Sequence, residues 1–93
     1  MTVEKSELCR KIIGFDNGER MTLVYSLVTE RGELLEDKER FGASIALEET
    51  GEESVVGDIS TDREKVLKLI DIMATGYVTP ISLCDVVYDH LCG

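Results

Sequence analysis

His90 is the single histidine of the chain, and therefore the natural candidate for a general base near neutral pH. Asp85 and Asp89 precede it closely in a segment with a helical pattern. On a helix, however, His90 points about 100° away from Asp89 and about 140° away from Asp85. A carboxylate–imidazole pair is therefore poorly aligned, and His90 is interpreted as a partly buried residue favoured by the dipole at a helix C-terminus.

The other groups on this segment are two carboxylates and an aromatic side chain. Asp85 and Asp89 are spaced to share a helix face, with Cβ atoms about 5 to 6 Å apart, and could hold a hard cation. Calcium requires about six oxygen ligands, so the pair is interpreted as a solvated face. Together with Tyr77 and Tyr88 they remain the candidate ligand-binding residues, and no catalytic residue is assigned.

The three cysteines do not form a recognisable metal or disulfide pattern. Cys84 and Cys92 lie about 12 Å apart along a helix axis, beyond the ~7 Å reach of a disulfide. With Cys9 and His90 they lack the short spacings of a zinc site. Glycine-rich phosphate loops and nucleophile motifs are also missing from the sequence, so neither a metal nor a cofactor is predicted.

The elements that would position these groups can be read from periodicity. A first strand is predicted over residues 8 to 15, followed by an Asn17-Gly18 two-residue hairpin turn. In the second strand Met21, Leu23, Tyr25 and Leu27 share one face, and Thr22, Val24, Ser26 and Val28 share the other. Further strands are predicted from Phe41 to Leu47 and from Val55 to Ile59. The charged connection 30–40, including Leu34 and Leu35, is left open as a turn or a strand extension.

Two helices follow the strands. Thr61 and Glu64 match a capping box, which predicts a helix that begins there and ends at a left-handed Gly76. Its apolar residues span about 160°, wider than a single-surface stripe, which indicates contact with both the sheet and the next helix. Thr79 and Pro80 predict the second helix, with threonine as the cap and proline in the first turn.

Strands grouped ahead of helices predict an α+β domain spanning residues 1–93. Its sheet would have about four antiparallel strands in the order β-β-β-β-α-α, with the C-terminal helix pair packed on one face. Ninety-three residues with 43% hydrophobic side chains suffice for a single hydrophobic core.

The net charge and the apolar segments limit which partners and which cellular location the sequence favours. Nineteen acidic against ten basic residues give a net charge of -9, which argues against direct nucleic-acid binding. No segment has the apolar run of a signal peptide or a membrane span. We therefore expect a cytoplasmic protein without a membrane or nucleic-acid partner.

Several short stretches carry a resemblance to a known family. They are Tyr25-Ser-Leu-Val28, Phe41-Gly-Ala-Ser-Ile45, Asp58-Ile-Ser-Thr-Asp-Arg63, Val78-Thr-Pro-Ile-Ser-Leu83, Asp85-Val-Val87 and Asp89. In these the chain resembles a family of small bacterial proteins described as a domain of unknown function. The likeness would span about residues 21 to 91, outside the first strand. It supports the fold and implies no catalytic residue.

Three hypotheses of function follow. The first is a non-enzymatic interaction or regulatory module that binds another protein, or its own copy, through the uncovered sheet face or an exposed edge strand. The second is a small-molecule binder or enzyme with a cleft between the sheet and the second helix, near Tyr77, Asp85, Tyr88 and His90. The third is an acidic inhibitor that mimics nucleic acid, which would require carboxylates aligned on one surface.

Overall fold

The computed structural model describes residues 2–31 and 39–92. The elements are strands β1 (Thr2–Gly14), β2 (Arg20–Arg31), β3 (Arg40–Leu47) and β4 (Glu53–Ser60), helix α1 (Arg63–Thr75), a short 3₁₀ helix (Pro80–Ser82) and helix α2 (Leu83–Cys92). The strands form one antiparallel sheet in the order β1-β2-β3-β4. The α+β class and the element order expected from the sequence are confirmed. Most of the 30–40 connection lies outside the described residues.

The core lies between one face of the sheet, here called the helix face, and the two helices. Alternation along β2 and β3 places every second side chain on this face. Helix α1 lies over β2 and β3, and α2 lies beside it near β4. The buried apolar core comprises Leu23, Tyr25, Leu27, Phe41, Ala43, Ile45, Val66, Leu69, Ile70, Met73, Ala74, Leu83 and Val87. Of the two faces that the alternation gives β2, the one that carries Leu23, Tyr25 and Leu27 is buried against the helices.

Strand β1 is longer than the predicted segment 8–15, because it begins at Thr2. It pairs with β2 along its whole length, from Thr2 opposite Arg31 to Gly14 opposite Arg20. The register shifts between Glu7 and Cys9, so Leu8 is a bulge residue without a partner on β2. Its polar first half gave no core-facing pattern because no helix covers this edge of the sheet.

The hairpin between β1 and β2 differs from the predicted two-residue turn. Residues 15–19 separate the paired Gly14 and Arg20. The Gly18 amide donates to the Phe15 carbonyl over 3.0 Å, and the Phe15 amide donates to the Glu19 carbonyl over 2.9 Å. Only Gly18 adopts a left-handed conformation here, with φ 85°. The Asn17-Gly18 pair therefore closes a longer loop, in which glycine alone takes the positive φ.

Helix α1 ends at the C-cap Gly76, as predicted, but its N-cap and its left-handed residue each lie one position later than expected. Asp62, rather than Thr61, caps the N-terminus, and its carboxylate accepts a 3.0 Å hydrogen bond from the Glu64 amide. At the C-terminus Gly76 has an ordinary φ of -88°, while Tyr77 is left-handed with φ 52°. The Val78 amide donates to the Met73 carbonyl over 3.0 Å, which is the bond of a Schellman end.

The prediction for the start of the second helix is confirmed in one part and wrong in another. Pro80 occupies the first turn, as predicted, but that turn is the 3₁₀ helix, and α2 itself begins at Leu83. The Thr79 side chain makes no capping hydrogen bond. Pro80 is buried, so packing of this ring fixes the entry of the segment.

Tyr25 connects the centre of the sheet to the connection between the helices. Its side chain is 0% exposed, and its hydroxyl donates a 2.8 Å hydrogen bond to the Val78 carbonyl. Burial away from water raises the pKa of Tyr25 from 10.0 to about 12. Folding therefore favours the protonated phenol over the phenolate.

This pKa difference predicts alkaline destabilisation. The contribution of Tyr25 is complete below pH 10 and is lost as the pH rises towards about 12. We expect the free energy of unfolding to fall over this interval in urea denaturation experiments, and Tyr25→Phe to reduce that fall. Near neutral pH, Tyr25→Phe should cost about 1 kcal/mol from the lost hydrogen bond. Tyr88→Phe is the matched control, since Tyr88 is exposed. Equal pH profiles for both variants would contradict the assignment.

Candidate functional site

The residues predicted to carry a ligand lie mainly on the surface of α2. Asp85, Tyr88, Asp89 and His90 are all exposed. His90 lies in the last turn of α2, as expected, but the expectation that it is partly buried is wrong. No group of three or more His, Cys, Asp and Glu side chains that could hold a metal ion occurs within the described ranges. Asp85 and Asp89 thus lie in solvent, and the ligand-binding role of these residues stays a prediction.

A groove lies between β1 and α1, and it is here called the β1–α1 groove. It has a volume of about 290 Å³, at the lower end of the range for small-molecule pockets. Its lining combines apolar side chains, a thiol and a few polar groups: Leu8, Cys9, Lys11, Leu67, Ile70, Asp71, Ala74 and Thr75. The groove exists because α1 lies over β2 and β3 and touches β1 only along its margin.

A second, shallower depression continues from the end of β1. It is lined by Ile12, Ile13, Gly14 and Tyr77 and has a volume of about 370 Å³. The Lys11 ammonium lies 6.0 Å from the centroid of the Tyr77 ring, at the outer limit of a cation–π contact. Of the five candidate ligand residues, Tyr77 alone borders either of these two depressions. The second helix contributes no residue to either lining.

The sheet face turned away from the helices is here called the outer face. The side chains at its centre are almost inaccessible to solvent. Ser26, Val28 and Ser44 are buried there without a covering helix. Charged side chains cross above them, with Lys5 on β1 paired to Glu53 on β4. The Ser44 hydroxyl lies 3.3 Å from Glu53 and donates to its carboxylate. The centre of this face is therefore shielded by ion pairs.

Arg10 anchors the β1 side of this charged layer. Its guanidinium donates to Glu7 over 2.9 Å and to Glu48 over 2.7 Å. The hydrogen bond from Arg10 lowers the pKa of Glu7, and the hydrogen bond from Lys5 lowers the pKa of Glu53. These carboxylates are thus held in the charged form and are not arranged as proton donors.

A further carboxylate secures the start of β2. Glu49 accepts hydrogen bonds of 2.7 Å from both the amide and the hydroxyl of Thr22. These two bonds lower the pKa of Glu49. Glu49 therefore has a structural partner for each of its carboxylate oxygens.

Among the described strands, β1 has the longest edge without a neighbouring strand, and this edge is here called the free edge of β1. The strand has 13 residues and forms one end of the strand order. In an antiparallel sheet about half of an edge strand's N–H and C=O groups point away from its one neighbour. Most of its side chains are exposed, including the apolar Val3, Leu8 and Ile12. Such an edge can accept another strand through main-chain hydrogen bonds.

Sequence reasoning proposed an exposed edge strand in general but did not identify β1. The polar first half of β1 has no alternation of apolar and polar residues that could have identified the start of the strand. The order of the strands in the sheet could not be predicted, since it depends on which strands pair with each other in the folded protein. The edge of β4 is less suited to accept another strand. This strand has only 8 residues, and Asp58 within it is left-handed, with φ 53°.

Comparison with known proteins adds a family and no activity. A family model described as "Family of unknown function (DUF6514)" matches residues 4–93. This span includes β1 from Glu4 onward, whereas the resemblance in the sequence was expected to begin near residue 21. No curated protein matches the chain, and no solved structure does.

Proposed function

Because the chain belongs to DUF6514, a family of unknown function, its role has to be argued from its own surface, and we propose that it is a non-enzymatic protein–protein interaction module. The observation that carries this proposal is the free edge of β1. A partner would add an extended segment to this edge as a further strand of the sheet.

The side chains of β1 suit this mode of binding. Val3 and Ile12 are 58% and 61% exposed, and both lie on the outer face, opposite Glu30 and Thr22 of β2. Leu8 lines the β1–α1 groove on the helix face. An added strand would therefore meet apolar side chains on both faces of the sheet, and the main-chain hydrogen bonds would supply the rest of the affinity.

The charge of β1 also differs from that of the chain as a whole. The strand carries three basic and two acidic side chains, whereas the chain has a net charge of -9. An acidic surface repels acidic partners at a distance, and at β1 the acidic charge is locally balanced by Lys5, Arg10 and Lys11. We place this activity in the cytoplasm, since the spacing of Cys9, Cys84 and Cys92 does not indicate a disulfide framework. The described helices, for their part, are not long and apolar enough to cross a membrane.

Site-specific photo-crosslinking in cells of the source organism tests the proposal. A photoreactive amino acid is introduced at Val3 or Ile12 and, as the control, at Ile72 on α1. Ile72 is 58% exposed, which matches the two test positions and equalises their access to solvent. We expect covalent adducts of discrete protein mass from Val3 and Ile12 that are missing from Ile72.

Two results would contradict the proposal. One is the lack of adducts from both β1 positions, and the other is an identical set of adducts from Ile72. The mass of each adduct also distinguishes a second copy of this chain from a different protein.

A further inference from the structure

Resting on the function proposed above, we infer that the strand added to β1 is β1 of a second copy of this chain. The two strands would run antiparallel about a two-fold axis and join the two sheets into one sheet of eight strands. A symmetric contact of this kind needs a strand that is complementary to itself.

The charges of β1 have this complementarity. Glu4 and Glu7 lie in its first half, and Arg10 and Lys11 lie in its second half. Antiparallel pairing brings the first half of one strand opposite the second half of the other. Opposite charges placed across neighbouring strands stabilise a sheet, and like charges destabilise it.

The bulge at Leu8 decides which residues can face each other. Val3 pairs with Glu30 and Ile12 pairs with Thr22, so both lie on the outer face despite their odd separation. Glu4 pairs with Thr29 and Lys11 pairs with Leu23, so both lie on the helix face. Without the bulge, each of these two pairs would be split between opposite faces.

One register satisfies both pairs together. It places Val3 opposite the partner's Ile12 and Glu4 opposite the partner's Lys11, and Ser6 then faces the partner's Cys9. A shift of two residues would instead place Glu4 opposite the partner's Ile13 in one direction or the partner's Cys9 in the other, and either shift would lose both pairs. The chosen register is therefore the one with matched apolar and charged neighbours.

The same register sets Lys5 opposite the partner's Arg10, and this like-charge contact is already neutralised within each copy. Lys5 is paired with Glu53, and Arg10 is paired with Glu7 and Glu48. Leu8 of each copy lies next to the axis. Because Leu8 lines the β1–α1 groove, the two grooves would meet over the joined strands and bury apolar surface.

Charge reversal with mixing tests the inference by sedimentation velocity over a concentration series. Glu4→Lys and Lys11→Glu each create like-charge contacts at two symmetric positions, so we expect each variant to dimerise about tenfold more weakly than the unchanged protein. In an equimolar mixture both contacts become attractive again, and dimer formation should return. The controls are the single variants Glu64→Lys and Lys68→Glu on α1, which make the same charge changes away from β1. We expect dimer formation to be unchanged for each control alone and for their equimolar mixture.

A second measurement does not depend on charge. The variant Ser6→Cys places a thiol opposite the partner's Cys9, at a separation that allows a disulfide between antiparallel strands. Mild oxidation should then yield a covalent dimer, whereas Ser54→Cys on β4 should not. A strictly monomeric protein, or a dimer indifferent to both reversals and to Ser6→Cys, would overturn the inference. If β1 then still crosslinks to a different protein in cells, the proposed function survives; if it crosslinks to nothing, both fail.

Discussion

Gly42→Ala is expected to destabilise the protein by about 3 kcal/mol or more, because β3 and β4 approach too closely at this position for a side chain. A Cβ atom on Gly42 would lie 2.1 Å from the Val56 carbonyl oxygen and 2.7 Å from the Gly57 Cα. Both obstacles are backbone atoms, so the strands would have to separate. The pairing of β3 with β4 shifts register at this point, between Phe41 and Ala43.

Urea denaturation followed by circular dichroism measures this effect, and Gly14→Ala is the matched control. Gly14 is also a strand residue, but a Cβ atom there would have no heavy atom within 4 Å. We expect the control to shift the free energy of unfolding by less than about 0.5 kcal/mol. Similar transition midpoints for the two variants would show that the close approach of β3 and β4 is not present in solution.

Leu69→Ala is expected to cost about 2 to 5 kcal/mol, the range for removing a buried leucine side chain and leaving a cavity. Leu69 is 1% exposed and belongs to the core that α1 forms with the sheet. Because domains of this size have unfolding free energies of only about 5 to 15 kcal/mol, the loss is a large fraction of the total.

Ile72→Ala on the same helix is the control for this substitution. Ile72 is 58% exposed, so its truncation removes little buried surface, and alanine is the better helix former. We expect its free energy of unfolding to stay within about 0.5 kcal/mol of the unchanged protein. Equal losses at positions 69 and 72 would mean that α1 packs on the sheet through a different face.

Much of the fold could be predicted from the sequence, because burial on one side leaves a period in the chain. The alternation along β2 separated its two faces without showing which one is buried, and the helical spacing from Val66 to Ala74 identified the buried face of α1. Pro80 marked the second helical segment. These signals are local, and each is repeated over several residues.

The errors at the ends of α1 concern which of two adjacent residues takes a particular position. Thr61 and Asp62 are both good caps, and only the structure shows that the Asp62 carboxylate reaches the Glu64 amide. Gly76 was expected to take the left-handed position, yet the hydrogen-bonded end of α1 places Tyr77 there. Threonine and aspartate are both favoured as N-caps, so the sequence does not rank them. Glycine is favoured over tyrosine at positive φ, and the hydrogen bonds of Tyr77 and Val78 to the last turn of α1 override that preference.

The candidate site could be predicted only as a kind of surface. Sequence reasoning looked for chemistry on α2, where Asp85, Asp89 and His90 cluster along the chain, and the structure leaves them exposed. The edge of β1 carries no reactive group, and its character depends on the absence of a helix above it. That information lies in the three-dimensional arrangement rather than in the residue types of β1.

The sparse attachment of β1 to the rest of the molecule has a dynamic consequence. Apart from the hairpin with β2, this strand is held mainly by the ion pairs of Lys5 and Arg10 and by the margin of α1. Surface ion pairs of this kind contribute little to stability. Amide hydrogens of β1 should therefore exchange with solvent through local opening at a lower free energy than those of β2 and β3. Docking of a second strand on β1 would slow this exchange.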